Sequence, residues 1–407
     1  MIRNIFTWSI CFNFLWISLG CQTGTISKDS KSKGPNSIDS TKQAIRFNPS
    51  DSLAYIDKVI LGASGGTKSV VFSKNLKFLY AMNLEGMSVF EFDRVARKVT
   101  RIFQFKATPG VGWDYDEGKE ISSYEEKPVE AFLSHHDSIL WVSLHNAGGI
   151  VPIRLFETAN KPADKSDKTL YIQNSDGKTI DTTFCPLIAT GKTPKVISCT
   201  SDDRFLMVSN WHSYNVSVLS INNHTYPYGK VIHTTNVSSI PRGIVIDEKN
   251  GKSYIAIMGG SSLAVIDNQT WDKSSEIKVA SNPRHIVQDS KGRLLVSFNS
   301  LGKIGCVDPA TGNLLFTTDT EAQPRTMALS RSGEYLFVTC YSGNRLMVYK
   351  VLDDEFHLMH SIDCPGKPVG VDVYEDENQI EAWVCSYTSG TISVHRFNKI
   401  QIGRAHV

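Results

Sequence analysis

One phrase recurs along this chain of 407 residues and limits its fold more than any other feature. At Pro283 it reads PRHIVQDSKGRLLVSFNS, at Pro241 PRGIVIDEKNGKSYIAIMGG and at Pro324 PRTMALSRSGEYLFVTCYSG. Aligned on the proline or its equivalent, seven units begin at Thr67, Pro128, Pro194, Pro241, Pro283, Pro324 and Pro368. In each, a short apolar run follows the proline and a polar turn such as SDDR, SKGR or SRSGE comes next. A second run (FLYAMN, FLMVSN, LLVSFN, YLFVTC), a third (MSVFEFD, VSVLSIN, KIGCVD) and a fourth (KVTRIFQF, KVIHTTN, LLFTTDT) complete the unit. Runs of this length, rich in Val, Ile, Phe and Tyr and split by turn residues, are strands. Four antiparallel strands in about 40 residues, repeated in phase, make the blade of a β-propeller. The expected fold is therefore all-β, a seven-bladed propeller.

The seventh unit stops after its third run, TISVHRF. AYIDKVILGASGG, ahead of the first unit, has the pattern of the missing fourth run. The N-terminal strand is expected to complete the last blade, which joins the two ends and removes open edges. Two insertions, 106–127 and 156–182, read as decorated loops on a propeller spanning 51–400 rather than as a second domain. The repeated phrase, proline-cation followed by paired strands over roughly residues 54 to 397, resembles the YVTN-repeat, YncE-like family of propellers, relatives of the lactonase-type propellers. That resemblance implies the seven-bladed architecture, and it allows lactone hydrolysis or nucleic-acid binding as functions.

Outside the repeat, Arg3 precedes an apolar run from Ile5 to Leu19 that ends in SLGC. A short charged start followed by such a run reads as a secretory leader, 1–21. Gly20-Cys21 looks like a bacterial lipoprotein junction, so lipidation at Cys21 is expected. Residues 22–50 are rich in Ser, Lys, Thr and Gly and read as a solvated tether. The expected location is the cell envelope, exported and lipid-anchored to the outer membrane or facing the periplasm. The terminal IGRAHV back-translates to a run resembling sequencing-adapter DNA, so 401–407 are set aside as non-native. The remaining cysteines, Cys185, Cys199, Cys306, Cys340, Cys364 and Cys385, have no metal-site spacing and read as buried thiols in strands.

The net charge of +2 gives no bulk case for nucleic acid, so any basic patch must be local. Blade topology supplies one. The residue after each proline recurs at the channel mouth, and there stand Lys68, Val129, Lys195, Arg242, Arg284, Arg325 and Val369. The turns between second and third strands share that face and bring Asn210, Trp211, His212, Asn299, Tyr341 and Tyr387, with Trp113, Tyr115 and Tyr124 from the first insertion. Guanidinium, amide and aromatic groups around a concave mouth suit an anionic ligand: donors for carboxylate or phosphate, flat faces for a sugar or base. The competing expectation is that each Arg pairs with an Asp of a neighbouring blade, such as Asp247, Asp267 or Asp308, and locks the disc. The acidic run Asp114 to Glu126 is a solvated face or a lid over the mouth.

No GxSxG, HExxH or Gly-rich phosphate loop stands in a suitable context. Pro283-Arg284-His285 resembles a phrase of the lactonase propellers, but Phe298, Asn299 and Ser300 stand where that family places an acid. Arg284, His285 and His212 remain the only catalytic candidates, and the general base has no clear holder. The reading is an envelope binding protein, expected as a monomer without cofactor or metal. Its partner would be an anionic small molecule, a glycan or an envelope protein. A hydrolase of anionic sugar lactones is the first alternative and nucleic-acid binding the second.

Overall fold

The computed structural model describes residues 50–114, 117–156, 164–221 and 225–401. The chain divides into two units after Ile45, and the second carries the whole repeat. Cys21, most of the tether, Tyr115 and the tail 402–407 lie outside the described residues.

Seven antiparallel sheets follow the seven repeats, and the innermost strand of each starts at the aligned residue: Thr67–Phe72, Pro128–Ser134, Pro194–Cys199, Pro241–Asp247, Pro283–Gln288, Pro324–Leu329 and Pro368–Glu375. Numbered from Thr67, these are blades one to seven. Second strands such as Ile139–Leu144 and Tyr335–Cys340 are buried throughout, because a neighbouring blade covers each face. Fourth strands such as Asn313–Asp319 alternate buried and exposed residues, as a half-covered edge requires. The apolar core is correspondingly divided. One cluster fills each gap between neighbouring blades, including the gap between blades seven and one, where Phe72 meets Trp383 edge-on at 5.7 Å. The ring is closed by packing as well as by hydrogen bonds.

Ser52–Gly62 pairs with Thr391–Ile400 and supplies the fourth strand of blade seven, as the sequence predicts. Leu53 is buried in the cluster between blades six and seven. Just upstream, Ser50 Oγ lies 2.8 Å from the Tyr335 hydroxyl.

The insertions are more ordered than loops. In the first, Pro109–Asp114 pairs with Lys119–Tyr124 as a separate hairpin. In the second, Lys168–Gln173 and Thr179–Cys185 form a hairpin that pairs with Lys98–Phe105. It belongs to the sheet of blade one, not blade two, and makes that sheet six-stranded. The fourth strand of blade two shrinks to Ile188–Ala189. Lys168 anchors the two insertions to each other through Glu125 and Glu126, the latter fully buried.

On the face opposite the mouth, acids in the first turn of one blade accept backbone N–H groups of the preceding blade. Asp137 accepts from Lys74 N at 2.7 Å and Asn75 N at 3.1 Å, Asp203 from His135 N at 2.8 Å, and Glu375 from Ser332 N at 2.7 Å. Glu248 does the same for Ser201 N. These charge-assisted bonds are the polar locks between blades.

Candidate functional site

Every innermost strand carries a register shift immediately after its first residue. A bulge turns the bulged side chain out of the regular alternation and increases local twist. Here it occurs at the residue after the proline, in every blade, which is where the sequence repeats its cations. The backbone before it is constrained too: Thr193, Asn282, Gln323 and Lys367 have φ near +60°, a region that side chains other than glycine avoid. The amide freed by the bulge is taken up by a hydroxyl of the second strand in four blades. Glu130 N donates to Ser143 Oγ, Val196 N to Ser209 Oγ and His285 N to Ser297 Oγ, all at 3.1 Å, and Thr326 N donates to Thr339 Oγ1 at 3.2 Å. Ser209 and Ser297 pass the bond on to the carbonyls of Arg242 and Arg325 in the next blade, at 2.9 and 3.0 Å. The cation-bearing bulges are thus stitched to one another.

The result is one cavity of about 820 Å³ at the mouth, lined by Lys68, Lys195, Arg242, Arg284 and Arg325 together. A second ring lines it, formed by the residue after each second strand: Leu84, His145, Trp211, Met258, Asn299, Tyr341 and Tyr387. The first-insertion hairpin leans over one side, bringing Trp113 and Asp114 to the wall. Asn146 Nδ2 holds it by donating to Ser123 Oγ at 3.1 Å and to Tyr124 O at 2.8 Å. The acids at the base of that hairpin, Glu125 and Glu126, bind Lys168 and so do not reach over the cations.

The aromatic rings of the mouth have partners within the protein. They hold cations. Arg325 stacks on Tyr341 at 3.4 Å, Lys68 sits 4.6 Å above Tyr387, and Lys195 lies 4.4 Å above Trp211, with Arg242 at 5.7 Å from the same ring. Cation–π contacts of this kind strengthen when water is excluded. The acids expected as partners are elsewhere. Asp267 and Asp308 cap their own turns, and Asp247 accepts from Asn250 and Gln288.

One carboxylate pairs with a cation of the ring. Glu130, two residues after Pro128, accepts from Arg242 at 2.9 Å. Its repeat position holds Ser69, Val196, Gly243, His285, Thr326 and Gly370 in the other blades, so no repeated signal marks it. Glycine stands there in two blades because space is lacking: a Cβ on Gly243 would come within 2.9 Å of His285 Cα, and one on Gly370 within 2.9 Å of Ser69 Cα.

For Arg284 and Arg325 the described residues offer no acid within ion-pair reach. Arg284, only 6 % exposed, donates to the Met258 sulfur at 3.2 Å, a weak acceptor. Arg242 Nη1 and Arg325 Nε are buried without a hydrogen-bond partner. Crowding of like charges shows in the proton affinities. Burial, then Arg325, Arg284 and Arg242, push Lys68 down to about 7. Burial and the same kind of neighbours push Lys195 far below the usual lysine range, and its Nζ lies 2.7 Å from His145 Nδ1. Burial and Arg242 push Arg284 down as well. An arginine keeps its proton in proteins, so the cost appears as instability of the empty site rather than as lost charge.

Other predicted residues sit differently. Asn210 is fully buried and spends its amide on Thr190, Asn215 and Ser217. His212 bonds Thr193 Oγ1 at 2.8 Å, and its ring centroid lies 6.1 Å from that of Trp113. His285 faces the channel below the ring, and burial pushes it down to about 3. The six cysteines are free thiols, five of them buried.

No family model matches the chain. Over 163 residues it is 26% identical to Antigen Lp49 of Leptospira interrogans, an alignment covering 38% of this chain and 35% of that protein. The chain thus spans about a third of the length of this curated relative. Among solved structures, it is similar to the β-propeller domain of Myceliophteria thermophila Cps50 (Swd1), with a TM-score of 0.57 and 13% identity over 83% of this chain and 99% of that one. Virginiamycin B lyase from Staphylococcus aureus gives 0.57 and 12% over 83% and 98%, and the WD40 propeller of Doa1 gives 0.58 and 13% over 85% and 97%. At such identities these likenesses establish the propeller fold.

Proposed function

We propose that this protein is an exported β-propeller that recognises an anionic ligand at its channel mouth. The observation that carries the reading is the absence, among the described residues, of an acid beside buried Arg284 and beside Arg325. A guanidinium kept for blade locking would have an acid partner, and the locks lie on the opposite face. Fold alone does not give a function to a propeller; the chemistry of its site does. Replacing Arg284 and Arg325 together by Gln tests it. Folding stability should hold or rise, while binding of a polyanionic probe such as heparin-derived oligosaccharide or citrate should fall by tenfold or more. A large stability loss with unchanged binding would refute the reading.

The leader and SLGC support an envelope location with lipid at Cys21. Cys21→Ser should move the protein from the membrane fraction to the soluble one; unchanged partition would remove the anchor from the proposal. A lactonase-type hydrolase has one observation in its favour, the arrival of Glu130 at the ring as a carboxylate that the sequence did not signal. That carboxylate is held by Arg242 at 2.9 Å. Turnover of a lactone panel, lost in Glu130→Gln, would favour the enzyme.

A further inference from the structure

Resting on the reading of the mouth as an anion receptor, we propose that Arg242, Arg284 and Arg325 are the seat of a tetrahedral dianion, a phosphate-type group. These residues come from three consecutive blades, so their guanidiniums approach the cavity from three directions along its wall. Each has unused capacity: Arg242 Nη1 and Arg325 Nε have no partner, and Arg284 Nη1 has only the Met258 sulfur. Arg242 and Arg284 are more than nine-tenths buried, so water is a poor substitute. A phosphate presents oxygens in several directions and can accept from all three forks. A carboxylate has two oxygens in one plane and matches a single fork.

Charge points the same way. The three guanidiniums keep their protons, and Glu130 is the acid that pairs with one of them, whereas Glu85 at the cavity wall binds Lys127 and the Tyr387 hydroxyl. Three guanidiniums against the one carboxylate paired with them leave two positive charges, which one dianion neutralises. The Arg325 plane is held against Tyr341 at 3.4 Å, so its fork is oriented before any ligand arrives. The cavity of about 820 Å³ exceeds what an inorganic anion fills, and the Trp113 side leaves room for an organic remainder.

The test is calorimetric titration of the protein at pH 7.5 with inorganic phosphate, a sugar phosphate, sulfate and succinate. The expected result is binding of phosphate or sugar phosphate at least tenfold tighter than succinate, weakened tenfold or more in Arg284→Gln and partly restored in Arg284→Lys. Circular dichroism melting of each variant checks that the disc is intact. A sugar phosphate binding tighter than free phosphate identifies an ester as the natural form; equal binding identifies the free ion. Sulfate binding alongside phosphate supports the tetrahedral seat. Succinate binding as tightly as phosphate would overturn this proposal and leave the anion receptor standing. No binding by any anion up to tens of millimolar would overturn both.

Discussion

Replacing Lys68 by methionine should make the propeller more stable below pH 7 and leave it unchanged above about pH 10.5. The chain unfolds to a lysine with an ordinary proton affinity near 10.5, whereas in the folded disc burial and three neighbouring guanidiniums bring it to about 7. Between those values the unfolded state binds the proton and the folded state does not. Stability of the natural protein therefore rises with pH across this window, at up to about 1.4 kcal/mol for each pH unit. Below pH 7 both states are protonated and the folded state carries the whole penalty. The gap from 10.5 to about 7 sets a ceiling of about 5 kcal/mol. Contact of Nζ with the Tyr387 ring at 4.6 Å returns about 1–2 kcal/mol, which methionine forgoes in part. A gain of about 3 kcal/mol for Lys68→Met is expected at pH 6, fading as pH climbs from 7 to 10.5. Urea unfolding of both proteins at pH 6, 8 and 10, in a buffer free of phosphate and sulfate, reads the difference directly. A methionine variant that is no more stable at pH 6, or whose advantage does not depend on pH, would refute the argument that the empty mouth is electrostatically strained.

Two further outcomes concern the scaffold. Deleting residues 52–64 should abolish cooperative unfolding, because it removes the pairing with Thr391–Ile400 and the buried Leu53, a loss of about 5–10 kcal/mol at about 1 kcal/mol per ladder bond, comparable with the whole stability of a domain; a melting temperature equal to that of the intact protein would show that the strand is ornamental. Asp137→Ala should cost about 2–4 kcal/mol through the bonds to Lys74 N and Asn75 N, with anion binding unchanged, and a neutral effect in thermal unfolding would remove the polar-lock role.

The architecture was legible because each blade repeats its strands in one order, and because a strand covered on both faces must read as an unbroken apolar run. The closing strand was legible for the opposite reason, a run with no other partner. The 168–185 hairpin was not, since its partner Lys98–Phe105 lies about sixty residues away in sequence and edge pairing leaves no mark on composition. At the mouth, the cations were visible as a column of the repeat. Glu130 was hidden because its column holds six other residues, two of them glycine, with no common chemistry. Of the aromatic residues expected at the mouth, Trp113, Trp211, Tyr341 and Tyr387 line it, and the last three carry cations there, a pairing set by the bulge at the strand start. The bulge itself depends on a hydroxyl from the second strand, as in Ser209 and Ser297, and a lone serine within an apolar run announces nothing by itself.

The two faces of the disc divide the work. On one, acids meet backbone N–H groups of the preceding blade, and every such bond stabilises the ring. On the other, cations gather with one carboxylate, Glu130, paired to Arg242, and strain the fold that carries them. An arrangement of this kind persists only where the rest of the structure over-determines it. Here the seven apolar seams and the closing strand do so, holding each bulge in register whatever charge it bears. Stability gained on one face is what permits a charged cavity on the other. On the proposed reading, an anion seated at the mouth would relieve the strain as well as fill space, and would stabilise the folded state in proportion to the logarithm of its concentration over its dissociation constant. Lys68, held down first by burial and then by its guanidinium neighbours, would regain part of its proton affinity beside that anion, so that binding near neutral pH would draw protons from solution with the ligand.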